Sequence, residues 1–141
     1  MALITKPKSV GTWRQSGGAF ELTVTMEGSG SATAYIIGHQ IFVDCASAQT
    51  AKWVGLTVPF DMIITDQKNI LDGTTSSTVM AYNGANKIAV VAATGTTEGA
   101  VVRATAVDTT YWAFSKGDTD LYLEVTTAAF IGVVVLDFIA T

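Results

Sequence analysis

The chain is 141 residues long, 49% hydrophobic and only 14% charged, with a net charge of −4. That length suits a single domain able to bury its own core, and so apolar a composition excludes overall disorder. A lone cysteine, Cys45, excludes an intramolecular disulfide framework, and a pI near 4.7 leaves no chain-wide basic footprint for nucleic acid.

Residues 1–18 read as an N-terminal arm. Lys6, Pro7, Lys8, Gly11, Ser16, Gly17 and Gly18 break any periodic pattern. Residues 1–4 are shorter than the apolar core of a signal peptide. Charge is divided along the chain: residues 1–58 carry a net +1 and residues 59–141 a net −5. A basic arm suits contact with an acidic neighbour.

From residue 19 the pattern is one of strands and turns. Phe20, Leu22, Val24 and Met26 alternate with Glu21, Thr23, Thr25 and Glu27, the period of a half-buried strand. Gly28-Ser29-Gly30-Ser31 turns the chain, and short strands at 35–37 and 41–43 flank Gly38-His39. Residues 46–52 read as a short helix or loop, and 53–58 as a strand. A further strand at 62–65 ends at Asp66, and Asp72-Gly73 marks a turn. Segments 78–82 and 87–92 flank Asn83-Gly84, the strongest short-range hairpin signal. Strands at 101–107, 111–114 and 121–125 follow, separated by turns. Valine and threonine are frequent and no stretch sustains helical spacing, which favours pleated surfaces throughout.

Residues 130–140 form the most informative strand. One face carries Phe130, Gly132, Val134, Leu136 and Phe138; the other carries Ile131, Val133, Val135, Asp137 and Ile139. Both are apolar apart from Asp137, yet a two-sheet sandwich buries only one face of each sheet. The second face needs a cover. A sister subunit is the preferred one, which places self-association at Ile131, Val133 and Val135; a loop of the same chain is the alternative. Together the elements predict an all-β fold, a single jelly-roll-like antiparallel β-sandwich of about eight to nine strands spanning 19–141 behind the arm. No stretch reaches 18 apolar residues, so no membrane partner is expected.

Chemistry-bearing residues are sparse. His39 is the one histidine and lies six residues before Cys45; a nucleophilic pair would need a thiol of lowered pKa and an oriented base, whereas a buried small thiol and a turn histidine are the simpler reading. A zinc site would need two more good ligands. Asp118, Asp120 and Glu124 share one side if extended and could hold calcium, but Gly117-Asp118 is also an ordinary turn pair. No catalytic, metal or cofactor site is therefore expected, and the chain is not expected to be an enzyme. Trp53 and Trp112 sit in apolar runs and suit core or interface filling. Trp13 and Arg14 stand together in the arm, the residue types that dominate interface hot spots.

Two segments carry a resemblance. Val58-Pro59-Phe60-Asp61-Met62-Ile63-Ile64-Thr65-Asp66 leads to Gly73-Thr74-Thr75 and the Asn83-Gly84 turn; Lys116-Gly117-Asp118-Thr119-Asp120-Leu121-Tyr122-Leu123 precedes Gly132-Val133-Val134-Val135-Leu136-Asp137-Phe138. This layout, over residues 55–141, resembles the small jelly-roll capsid decoration (cement) proteins of tailed bacteriophages. Similar endings occur in trimeric tumour-necrosis-factor-like and C1q-like heads. The resemblance implies a virion structural protein, made in the host cytoplasm, that binds the major capsid protein on the outside of a phage head and stabilises the shell as a homotrimer. Lys6, Lys8, Trp13 and Arg14 are the expected shell contacts. A receptor- or glycan-binding jelly-roll head of a phage tail or fibre is the alternative expectation.

Overall fold

The computed structural model describes residues 14–16, 19–25, 31–49, 53–72, 76–93, 97–126 and 130–141. Twelve strands lie among them, where sequence patterning predicts eight or nine: β1 (Arg14–Ser16), β2 (Ala19–Thr25), β3 (Ser31–Ile37), β4 (Gln40–Gln49), β5 (Trp53–Leu56), β6 (Met62–Leu71), β7 (Ser77–Asn83), β8 (Asn86–Ala93), β9 (Val101–Arg103), β10 (Ala113–Phe114), β11 (Leu121–Thr126) and β12 (Phe130–Ala140). There is no helix among the described residues. The chain is all-β, with two antiparallel sheets. The larger has the order β1-β2-β3-β4-β12-β6-β10, with β9 also on β6; the smaller has the order β5-β11-β7-β8.

Local chemistry sets the hairpins. Ile37 and Gln40 pair across the two residues Gly38-His39, and Gly38 takes φ +60°, a conformation glycine adopts without a Cβ penalty. Asn83 and Asn86 pair across Gly84-Ala85, with a register shift between Ala81 and Tyr82. Strand β6 outruns its sequence reading. It continues past Asp66 to Leu71, because a bulge opposite Asp137/Phe138 resets its alternation. Below the bulge Met62 and Ile64 face the core; above it Gln67, Asn69 and Leu71 do. Residues 46–49, read from sequence as helix or loop, extend β4 instead and carry Gln49 to Phe130 of β12.

The expected strand at 101–107 is interrupted. β9 and β10 both pair with β6, at 68–70 and 62–63 respectively. Between them the chain leaves the large sheet and reaches the edge of the small one, where the Asp108 amide donates to the Ile88 carbonyl at 2.8 Å. The Asn83 side chain holds the return by donating to the carbonyls of Tyr111 (2.8 Å) and Ala113 (3.1 Å).

One buried cluster draws on both sheets: Val43, Ile64, Val134 and Leu136 from the larger, Val79, Ala81, Leu121 and Leu123 from the smaller. Each large side chain buried there contributes about 1.5–3 kcal/mol by removal from water. Residues 14–16, assigned to the arm from sequence, belong to the large sheet: Arg14, Gln15 and Ser16 pair with Glu21, Phe20 and Ala19.

Candidate functional site

The outer face of the large sheet is the first candidate. β12 lies at its centre, between β4 and β6. Its inward residues Phe130, Val134, Leu136 and Phe138 are all buried. Register then fixes what stands beside its outward residues. Val133 lies between Asp44 of β4 and Ile70 of β6, and Ile70 lies beside Val101 of β9. Ile131 is 37% exposed and Val101 54%; Val133 and Ile70 are half-buried. These four side chains form an apolar end to the face.

Val135 corrects the sequence reading. Although it points outward it is completely buried, lying in register between Phe42 of β4 and Lys68 of β6. Its own chain already covers it, so it offers a partner no surface. Ile131 and Val133 remain available. Beyond Val135 a polar band crosses the face before Ile139, exposed and in register with Ile63, near the end of β12. Asp137 accepts from the Gln40 amide at 2.7 Å and stands 4.0 Å from Lys68, while Arg103 pairs with Asp66 at 2.8 Å. These charges are satisfied within the chain, which removes one obstacle to covering the face.

Lys6, Lys8 and Trp13, the expected shell contacts, lie outside the described residues, as does the Gly28-Ser29-Gly30 turn. Arg14 opens β1 opposite Glu21.

The second candidate is the outer face of the small sheet. Tyr122 pairs with Tyr82, and Glu124 with Met80. The two tyrosine rings stack at 5.2 Å and 9°. The Tyr122 hydroxyl donates to the Gly84 carbonyl. Burial, then Glu124, pushes the Tyr82 hydroxyl up to about 12. Tyr122 is only 5% exposed, so the pair offers a ligand chiefly the Tyr82 side. Trp53 pairs with Glu124 through its backbone.

The sequence motifs weighed for catalysis do not converge. His39 is exposed at its turn, whereas Cys45 is buried with its Sγ 4.0 Å from the Val43 carbonyl. Asp118 behaves as a turn residue: its carboxylate accepts from the Ser115 amide at 2.9 Å, and Gly117 takes φ +87°. No group of three or more metal-ligating side chains occurs among the described residues. A groove of about 320 Å³ lies between β8 and residues 105–108. It is bordered by Lys87 and Asp108, and the Asp108 carboxylate is engaged by the Thr110 amide at 2.9 Å.

Burial, then the adjacent Asp44, pushes the Cys45 thiol up to about 12, from an ordinary value of 9.0. Below pH 9 both folded and unfolded chains hold the proton; between about 9 and 12 the unfolded chain sheds it first, so folding stability falls as pH rises. Urea unfolding from pH 8 to 11 is expected to show this loss, at up to ~1.4 kcal/mol per pH unit, and Cys45→Ala is expected to remove the thiol's share. Native protein is expected to leave Cys45 unlabelled by a disulfide reagent that labels it fully in urea.

Comparison with protein-family models, with curated proteins and with solved structures finds no match to this chain.

Proposed function

We propose that this chain is a virion structural protein, a capsid decoration protein that binds the outside of a tailed-phage head as a homotrimer and stabilises the shell. The observation that carries the reading is the apolar end of the large sheet's outer face. Ile131 is exposed on β12, inside the sheet, and Val101 on the short flanking β9, beside half-buried Val133 and Ile70; a monomer gains nothing by displaying them. Closed cyclic assembly covers such a patch once per subunit. The fold within this proposal is a jelly roll. The strand orders β4-β12-β6-β9 and β5-β11-β7-β8 support it: they interleave early and late strands as two Greek keys do, with β1, β2 and β3 added at one edge. The partner is the major capsid protein, met by the basic segment holding Lys6, Lys8 and Trp13, together with Arg14. The chain works on the virion head surface after synthesis in the host cytoplasm.

Two measurements test this. Light scattering behind a sizing column at micromolar concentration is expected to give three chain masses. Co-sedimentation with expanded phage heads is expected to retain the full chain and to lose a variant lacking residues 1–13, a deletion that spares β1 and its pairing with β2. A monomer that ignores heads overturns the reading.

The stacked Tyr82–Tyr122 pair beside Glu124 favours a second reading, a glycan-binding head of a tail or fibre. Aromatic faces flanked by a carboxylate acceptor suit sugar hydroxyls and C–H faces. On that reading the 1–13 deletion leaves glycan binding intact and Tyr82→Ala abolishes it.

A further inference from the structure

Three buried polar side chains lie on the two strands that the β6–β7 connection joins. Gln67 and Asn69 are two residues apart on the inward face of β6 and are fully buried; Ser77, at the start of β7, is 2% exposed. The two strands are consecutive and lie in opposite sheets. The chain leaves β6 at Leu71 and enters β7 at Ser77, so Asn69 comes opposite the start of β7. Gln67 reaches one step further along: its Nε2 donates across the core to the Val79 carbonyl at 3.2 Å, and to Asn69 Oδ1 at 3.4 Å.

That arrangement leaves three polar atoms without a protein partner: Gln67 Oε1, Asn69 Nδ2 and Ser77 Oγ. One is an acceptor, one a donor, and the hydroxyl is both. Rotating either amide by half a turn does not satisfy the group. It gives up the bond to Val79 or turns two like atoms toward each other. An orphaned buried polar atom is rarely left so in a stable fold. A water molecule carries two donors and two acceptors, and it persists inside a protein where two to four polar partners converge.

We propose that Gln67, Asn69 and Ser77 form an internal water site that ties the two sheets together. The water donates to Gln67 Oε1, accepts from Asn69 Nδ2 and exchanges a hydrogen bond with Ser77 Oγ. Gln67 thereby joins the sheets twice, directly through Val79 and indirectly through the solvent molecule. The site is independent of any capsid role and of the oligomeric state.

Oxygen-17 water relaxation dispersion on the intact chain tests it. The expected result is a long-lived internal water whose amplitude falls by one molecule in the variant Gln67→Met/Asn69→Leu/Ser77→Ala, and whose residence time shortens at least tenfold in Ser77→Ala alone. Circular dichroism establishes that each variant is folded. Should the triple variant not fold, a crystal structure of the unaltered chain decides: density for a water within hydrogen-bond distance of at least two of the three atoms supports the site. An amplitude unchanged in the folded triple variant, or a dry site in that crystal structure, overturns the proposal.

Discussion

Gly132→Ala is expected to destabilise the protein by about 2–6 kcal/mol, a large share of the ~5–15 kcal/mol that holds a domain together. Gly132 lies on β12 at φ +147°, where a side chain is strained. A Cβ placed there would collide with the Ile70 carbonyl oxygen and stand 3.1 Å from the Asp72 amide nitrogen. Neither can give way cheaply. The Asp72 amide already donates to the Ile131 carbonyl at 3.0 Å, and Gly132 is paired with Leu71 on one side and Cys45 on the other. Overpacking costs ~1–3 kcal/mol and backbone strain adds ~1–3. Gly38→Ala is the control. Gly38 also has positive φ, but nothing lies within 4 Å of its Cβ position, so it is expected to lose only ~1–2 kcal/mol. Urea unfolding of the two variants beside the parent checks both values. A Gly132→Ala protein as stable as Gly38→Ala would refute the close approach.

The double variant Ile131→Lys/Val101→Lys is expected to convert the proposed trimer into a folded monomer. Both residues are exposed in the isolated chain, and substitutions at exposed positions usually change stability by less than ~0.5 kcal/mol. In a trimer closed on this face each lysine is buried without a partner, at several kcal/mol per charge. A loss of even ~3 kcal/mol raises the dissociation constant by about 100-fold. Light scattering across a concentration series reads the change, and the unfolding midpoint shows whether the protomer is intact. A variant that stays trimeric moves the interface off this face.

Turn chemistry was legible from residue types alone. Gly38-His39, the Asn83-Gly84 region and Gly117-Asp118 all turn the chain close to where their composition indicates, because glycine and short polar side chains stabilise turns without help from elsewhere. The two-faced apolarity of residues 130–140 was equally plain. Three features were not, and each depends on distant residues. The polar run Asp66-Gln67-Lys68-Asn69 reads as a strand end, yet β6 continues through it, because a bulge opposite Asp137 turns Gln67 and Asn69 inward. Residues 101–107 read as one strand, but hydrogen bonds from Asp108 and Asn83 pull the chain to the other sheet. Val135 is completely buried between partners 93 and 67 residues away, Phe42 and Lys68, which no local period can report. For the outer face, alternation identified its residues, but which of them stay exposed depends on register.

The place of β12 also bears on how the chain acquires its fold. It follows every other described strand in chain order, yet it lies inside the large sheet, with β4 on one flank and β6 on the other. During synthesis the meander β2-β3-β4 can form early from neighbouring segments, while β6 waits with an open edge. Two half-sheets therefore stand exposed until β12 arrives as a wedge between them. Long-range pairing of this kind is slow, and unpaired strand edges invite aggregation. A nascent chain stalled before residue 130 is thus the species most in need of a chaperone.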